Sequence, residues 1–186
     1  LCKAVRPEYG AFAYSYNAIG QLSYEAKGGS VSTAATNCDT SVSSTEKITY
    51  GYDNLGNVKT VNFGDSTPDL TYTYDYNSNV KSVSSSAFTQ SFNYNSLNKP
   101  TSEITVIGGK TMSVGYTHDG YGHISTITYP NGYKVTLSPD ALGWSRAVKR
   151  ASNSYAGALN YATGIAYHAA GTPSQFTYGN GLVHTF

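Results

Sequence analysis

Tyr50-Gly51-Tyr52-Asp53-Asn54-Leu55-Gly56-Asn57-Val58 is the stretch that decides the fold. It reads aromatic, any residue, Tyr, Asp, two variable residues, Gly, a polar residue and an aliphatic one. An Asp at the head of such a run bonds the backbone two residues on, and a Gly three places later takes the positive φ that ends the turn. The flanks alternate. In the next copy Leu70, Tyr72, Tyr74 and Tyr76 fall on one face, and Thr71, Thr73 and Asp75 on the other. The run therefore predicts a strand, a tight turn and a second strand.

The pattern returns along the chain. Tyr72 to Val80 carries Tyr74 and Asp75, with Ser78 in the Gly place, and Phe92 to Pro100 carries Tyr94 and Asn95, with Asn98 there. Tyr116 to Ile124 keeps Asp119 and Gly122 but has His118 for the second Tyr; Leu137 to Trp144 keeps Asp140 and Gly143. An early copy holds Tyr16, Asn17 and Gly20, and a worn late one holds Tyr167, His168 and Gly171. The head residue falls at 17, 53, 75, 95, 119, 140 and 168, so the central steps are 22, 20, 24 and 21 residues. Such a step suits two strands and two turns. The outer steps, 36 and 28 residues, place insertions at Gly28–Ser44 and Ala151–Ala162. Second turns are expected between motifs at Gly108-Gly109, Asn131-Gly132 and Tyr178-Gly179-Asn180-Gly181, as two-residue hairpin loops.

The expected architecture is all-β: residues 1–186 form a single array of about seven tandem antiparallel hairpins. Each hairpin alone is marginal in water, so its neighbours must complete it. Tyr52, Tyr74, Tyr94 and Tyr116 are expected at equivalent places, ring stacked on ring across strands.

Composition bounds the function. Tyr occurs 18 times and charged residues make up 12%, about half the usual share. The net charge of +1 gives no electrostatic case for nucleic acid or an anionic membrane. No apolar run is long enough for a spanning helix. The chain starts at Leu1 without a leader pattern and stops in mid-pattern, which reads as a piece of something longer. Cys2 and Cys38 are the two cysteines. They either bridge, as in an exported protein, or remain two thiols.

These motifs resemble the YD-repeat family, also called Rhs repeats, which includes bacterial Rhs proteins, shell-forming components of insecticidal Tc toxins and the teneurins. The likeness runs from Tyr14 to Phe186 and includes Tyr129-Pro130-Asn131-Gly132 as an inter-motif turn. It implies a curved hairpin strip, part of a spiral shell that encloses or presents a toxin or effector. It also implies a secreted or cell-surface location, and neighbouring repeats of the same parent chain, or copies joined edge to edge, as partners. The family's closing Asp-Pro-x-Gly element is absent from this chain, so a toxin would lie outside it.

The chemistry expected of the residues is structural. Asp53, Asp75, Asp119 and Asp140 recur at one turn position, whereas catalysis needs unlike groups converging on one cleft. His118, His123, His168 and His184 are scattered, and a calcium site would need more carboxylates per turn. No enzyme activity and no cofactor are expected. The rival reading is an adhesin-like binding module with exposed Tyr for glycans or a cell-surface partner; an outer-membrane barrel would need apolar bands flanked by aromatic girdles. Shell and adhesin differ in whether the Tyr face is buried or open on a groove. Seven hairpins give about fourteen strands, about 67 Å of strip. That is about half a turn around a cargo of about 150 residues.

Overall fold

The computed structural model describes residues 2–6, 10–29, 31, 42–151 and 159–186. Among them every regular element is a β-strand except a three-residue 3-10 turn at Ser44–Glu46. Sixteen strands lie in one open antiparallel sheet whose spatial order is the chain order, as the hairpin repeat requires. The chain divides into two compact units, Leu1–Gln90 and Ser91–Phe186. The first holds β1 (Lys3–Arg6), β2 (Gly10–Tyr16), β3 (Leu22–Lys27), β4 (Lys47–Tyr52), β5 (Val58–Phe63), β6 (Leu70–Tyr74) and β7 (Val80–Ser84). β8 (Phe88–Tyr94) runs across the boundary. The second continues with β9 (Pro100–Ile107), β10 (Lys110–His118), β11 (Ile124–Thr128), β12 (Lys134–Pro139), β13 (Ser145–Arg150), β14 (Leu159–Tyr167), β15 (Pro173–Tyr178) and β16 (Val183–Thr185). The seven motifs join β2 to β3, β4 to β5 and so on to β14 and β15, which leaves β1 and β16 as the two strands beyond the expected fourteen.

Each motif makes the same turn. Asp53 N–H donates to the Asn57 carbonyl at 2.9 Å, and Gly56 N–H donates to the Asp53 carbonyl at 3.1 Å. This is a type I turn closed by a left-handed residue. Gly56 has φ +87°; Ser78 and Asn98, in the Gly place of their motifs, are driven to +61° and +57°. The turn at Gly108-Gly109 is a two-residue loop with both φ positive, +55° and +72°, as expected. The other two inter-motif turns differ from the expected two-residue loops. Tyr129 N–H donates to the Tyr133 carbonyl and Tyr178 N–H to the Leu182 carbonyl, both at 2.8 Å. They are five-residue turns of the motif's own type. Asn sits third in each rather than first, and its Oδ1 accepts the N–H two places on, at 3.1 Å.

A further regularity had no expected place. Gly51 pairs with Thr60 but Tyr52 with Val58, so Lys59 is an extra residue. The same slip leaves out Ser23, Lys81, Ser125, Arg146 and Ser174, each six residues after its motif head. Every such bulge residue is polar, which suits a place outside the ladder. A bulge raises the local twist of the strand that carries it.

Little is buried. Among the described residues Ala11, Ala13, Ala26, Val31, Val42 and Ala147 alone are buried apolar side chains. The first five form one cluster with Tyr24 packed against it. There Val31 and Val42, from the first insertion, cover the small side chains of β2 and β3. Residues 30 and 32–41 of that insertion, Cys38 included, lie outside the described residues, as do residues 152–158 of the second. Residues 159–162, expected in the second insertion, belong to β14, where Leu159 pairs with Arg150.

The left-handed Ser78 costs about 1 kcal/mol that a Gly would not. Ser78→Gly should therefore raise the urea unfolding midpoint. Asn98→Gly should raise it less, because Asn tolerates this conformation better. A lowered midpoint in Ser78→Gly would contradict the account.

Candidate functional site: turns and tyrosine ties

The signature side chains act within the strip. Asp53 Oδ1 accepts the N–H groups of Leu55 and Asn57, both at 2.9 Å, and Oδ2 accepts Asn57 Nδ2 at 3.0 Å. Asp75 holds Asn77 and Asn79 in the same way, at 2.9 Å. Asn17 and Asn95 make the two backbone bonds with a carboxamide oxygen, at 2.9–3.1 Å. In Asp119 and Asp140 Oδ1 does the same work, while Oδ2 meets His123 Nδ1 at 3.2 Å or the bulge residue Arg146 at 2.6 Å. The seventh turn, headed by His168, keeps the backbone bonds.

The second Tyr of the motif reaches one repeat back. Tyr52 Oη donates to the Leu22 carbonyl at 2.8 Å, Tyr74 to Val58 at 2.6 Å and Tyr167 to Ser145 at 2.9 Å. Each acceptor lies five residues after the preceding motif head. These three are tied by hydroxyl to backbone rather than by the expected ring-on-ring stack; Tyr167 alone among them also meets a ring, Trp144 at 5.1 Å. Tyr116 is not the equivalent of Tyr52 and Tyr74. It stands three residues before Asp119, the place of Tyr50, and His118 holds the place of Tyr52. Tyr116 accordingly bonds Glu103 at 3.2 Å as Tyr50 bonds Glu25 at 2.8 Å. Burial first, and then Glu25, push the Tyr50 hydroxyl up to about 12.

Successive turns also touch. The residue after each motif Gly leans on the Gly of the next turn: a methyl at Gly56 would sit 3.2 Å from Gln21, at Gly122 3.2 Å from Lys99, at Gly143 2.9 Å from His123 and at Gly171 3.5 Å from Trp144. At Gly143, where φ is also +82°, backbone freedom and close approach both demand Gly. Asn57 Nδ2 likewise reaches Ser78 Oγ at 3.3 Å. The turn tips carry large apolar residues in the open: Ile19, Leu55, Leu97, Tyr121 and Leu142, 67–79% exposed, each two residues after its head.

Among the described residues no group of three His, Cys, Asp or Glu comes together. Arg146 also lies over the Tyr167 ring at 5.4 Å, so its charge belongs to the strip. The carbonyl of Cys2 accepts Tyr14 N–H at 2.8 Å. The pairing with Cys38 is a proposal only, since Cys38 lies outside the described residues.

The sequence matches no family model and no curated protein. Its fold is found in solved toxin complexes. It resembles a TcdB2–TccC3 structure with TM-score 0.77 and 11% identity over 99% of this chain and 10% of that one. It resembles a Photorhabdus luminescens Tc holotoxin pore carrying a TccC3 mutation with TM-score 0.75 and 13% identity, over all of this chain and 10% of that one. A TcdB2–TccC3–Cdc42 complex gives TM-score 0.75 at 11% identity. The chain spans about a tenth of the length of these chains, and at such identity the likeness establishes the fold. No described helix is long and apolar enough to cross a membrane.

The carboxyls of Asp53 and Asp75 are held below the usual carboxylate range, chiefly by the Asn57 and Asn79 side-chain amides. Burial pushes Asp119 and Asp140 up, but the turn hydrogen bonds outweigh it and both end below that range. A depressed carboxyl contributes stability that is present above its unfolded pKa and is lost as pH falls through the folded one. Asp53→Asn with Asp75→Asn should therefore flatten the loss of stability below about pH 4. Stability at pH 7 should fall by the part the charged carboxyls contribute, with the turn itself kept, because Asn17 and Asn95 build the same turn. An unchanged acid limb in pH-dependent urea unfolding would refute this.

Proposed function

We propose that this chain is a non-enzymatic scaffold segment of a larger protein of the YD-repeat or Rhs kind, part of a β-shell that encloses or presents a toxin or effector. The observation that carries the reading is where the signature side chains are engaged. Each turn Asp or Asn closes its own turn, and Tyr52, Tyr74 and Tyr167 tie three of the hairpins to the one before. Chemistry would need such groups to converge on one cleft with their pKa values pushed apart. Here the four aspartates are shifted in the same direction by the same kind of turn bond.

The fold shared with the Tc toxin complexes supports the shell, and the apolar turn tips suit packing against further repeats. A secreted bacterial origin, neighbouring repeats of the parent chain as partners, and a single repeat array over residues 1–186 follow from the same reading. The adhesin alternative has one supporting place, a cleft in the second unit lined by Tyr129, Tyr133 and Tyr161, where the tyrosines are not tied.

Asp53, Asp75, Asp119 and Asp140 replaced together by Asn in the parent polypeptide test the scaffold reading. The turn is kept and the carboxylate chemistry removed, so the parent's activity and the protease resistance of any enclosed domain should be unchanged. A loss of activity by a variant that still unfolds cooperatively would show the carboxylates to be chemical groups.

A further inference from the structure

In the first unit β2, β3, β4 and β5 come side by side at the ends away from their motif turns. Phe12 pairs there with Lys27, Glu25 with Ile48, and Ile48 with Phe63, so these side chains share one face of the sheet. On that face Phe12, Ile48 and Phe63, with Glu25, Glu46 and Asp65, line a cleft of about 360 Å³. That volume lies within the range of small-molecule sites. None of these residues is a motif head, a motif Gly or one of the tied tyrosines, so the cleft stands independently of the scaffold reading.

Its charge is unbalanced. Among the described lining residues Glu25, Glu46 and Asp65 bring three carboxylates, and Lys27 and Lys47 two ammonium groups. Lys47 is turned away: it pairs with Ala26 on the opposite face, and its Nζ lies over the Tyr24 ring at 4.5 Å. Lys27 Nζ stands over the Phe12 ring at 5.5 Å. Glu25 Oε1 accepts the Tyr50 hydroxyl at 2.8 Å, and Asp65 Oδ1 accepts the Thr67 N–H at 2.8 Å. Both donors are neutral, so neither bond cancels a charge. Thr67 also holds the Asp65 carboxyl below the usual carboxylate range, which keeps it ionised at neutral pH.

We propose that this cleft binds an aliphatic diamine or polyamine, its methylene stem on Phe12, Ile48 and Phe63 and its ammonium groups at the separate carboxylates. Other ligand classes fit less well. An anion would meet net negative charge. A metal ion would need the carboxylates to converge, and no three of them come together among the described residues. A neutral ligand would leave the carboxylates unmatched. An alkylammonium suits the apolar floor as well as the rim, and this unit already makes the contact twice with its own lysines, Lys27 on Phe12 and Lys47 on Tyr24.

Calorimetric titration of the full chain at neutral pH tests it, with cadaverine and spermidine as probes. The controls are the diol that matches cadaverine and magnesium chloride at equal ionic strength. Saturable binding of at least one amine is expected, with none of the diol and no displacement by magnesium. Asp65→Asn keeps the acceptor for Thr67 and removes the charge, so it should weaken binding about threefold, the scale of one exposed ion pair. Phe63→Leu should also weaken it, by removing the flat floor. Asp75→Asn makes the same charge change outside the cleft and should leave the affinity as it is. No saturable binding of either amine, equal binding of the diol, displacement by magnesium, or an affinity unchanged in Asp65→Asn or in Phe63→Leu would overturn the proposal.

Discussion

A sheet with so little buried against a second layer must be held together within its own layer. In most domains apolar burial between layers supplies the main favourable term. Here the described residues offer one small cluster of Ala and Val under β2 and β3, and Ala147 further on. The demand therefore falls on the hairpin turn and on the link between successive hairpins. The Asp or Asn head meets the first with two N–H bonds to one oxygen. At Tyr52, Tyr74 and Tyr167 the hydroxyl meets the second by reaching the carbonyl one repeat back. Bulges, glycine contacts and polar faces are arranged around these two devices.

The periodic part of this was legible in the sequence. A head residue every 20–24 places, followed three later by Gly, specifies a chain-ordered antiparallel sheet, because a tight turn admits no other connection. Asp53 and Gly56 could be given their turn roles from residue type. The Tyr role could not. A Tyr-rich strand reads equally as stacked rings or as hydroxyl ties, and only the distance from Tyr74 to the Val58 carbonyl separates them. By aromatic character Tyr116 goes with Tyr52, whereas counting back from Asp119 puts it with Tyr50. The bulge six residues after six of the seven heads had a faint signal, since Ser23, Lys59, Lys81, Ser125, Arg146 and Ser174 are all polar. A polar residue in a half-exposed strand is too common to be read as a bulge.

The cleft at Tyr129 and Tyr161 was illegible for a different reason. Tyr129 and Tyr161 lie 32 residues apart and line one cleft although β12 and β13 stand between β11 and β14 in the sheet. Asn131-Gly132 reads as a short hairpin loop, whereas the turn runs from Tyr129 to Tyr133 and brings both rings to one end of the strands. Strip and cleft thus use the same residue type in opposite ways. A Tyr with its hydroxyl bonded to backbone fixes the repeat, and a Tyr with its hydroxyl open is available to a ligand.

Native-state hydrogen exchange tests the central claim, because the chain contains its own control. In the turns headed by Asp53, Asp75, Asp119 and Asp140, the amides of Asn57, Asn79, His123 and Trp144 donate to a carboxylate oxygen. In the turn headed by His168, Thr172 occupies the same place with no carboxylate or carboxamide at the head. The account predicts slow exchange at the first four amides and fast exchange at Thr172. Equal rates at all five would mean that the carboxylates do not hold the turns, and the structural role given to the repeat signature would fail.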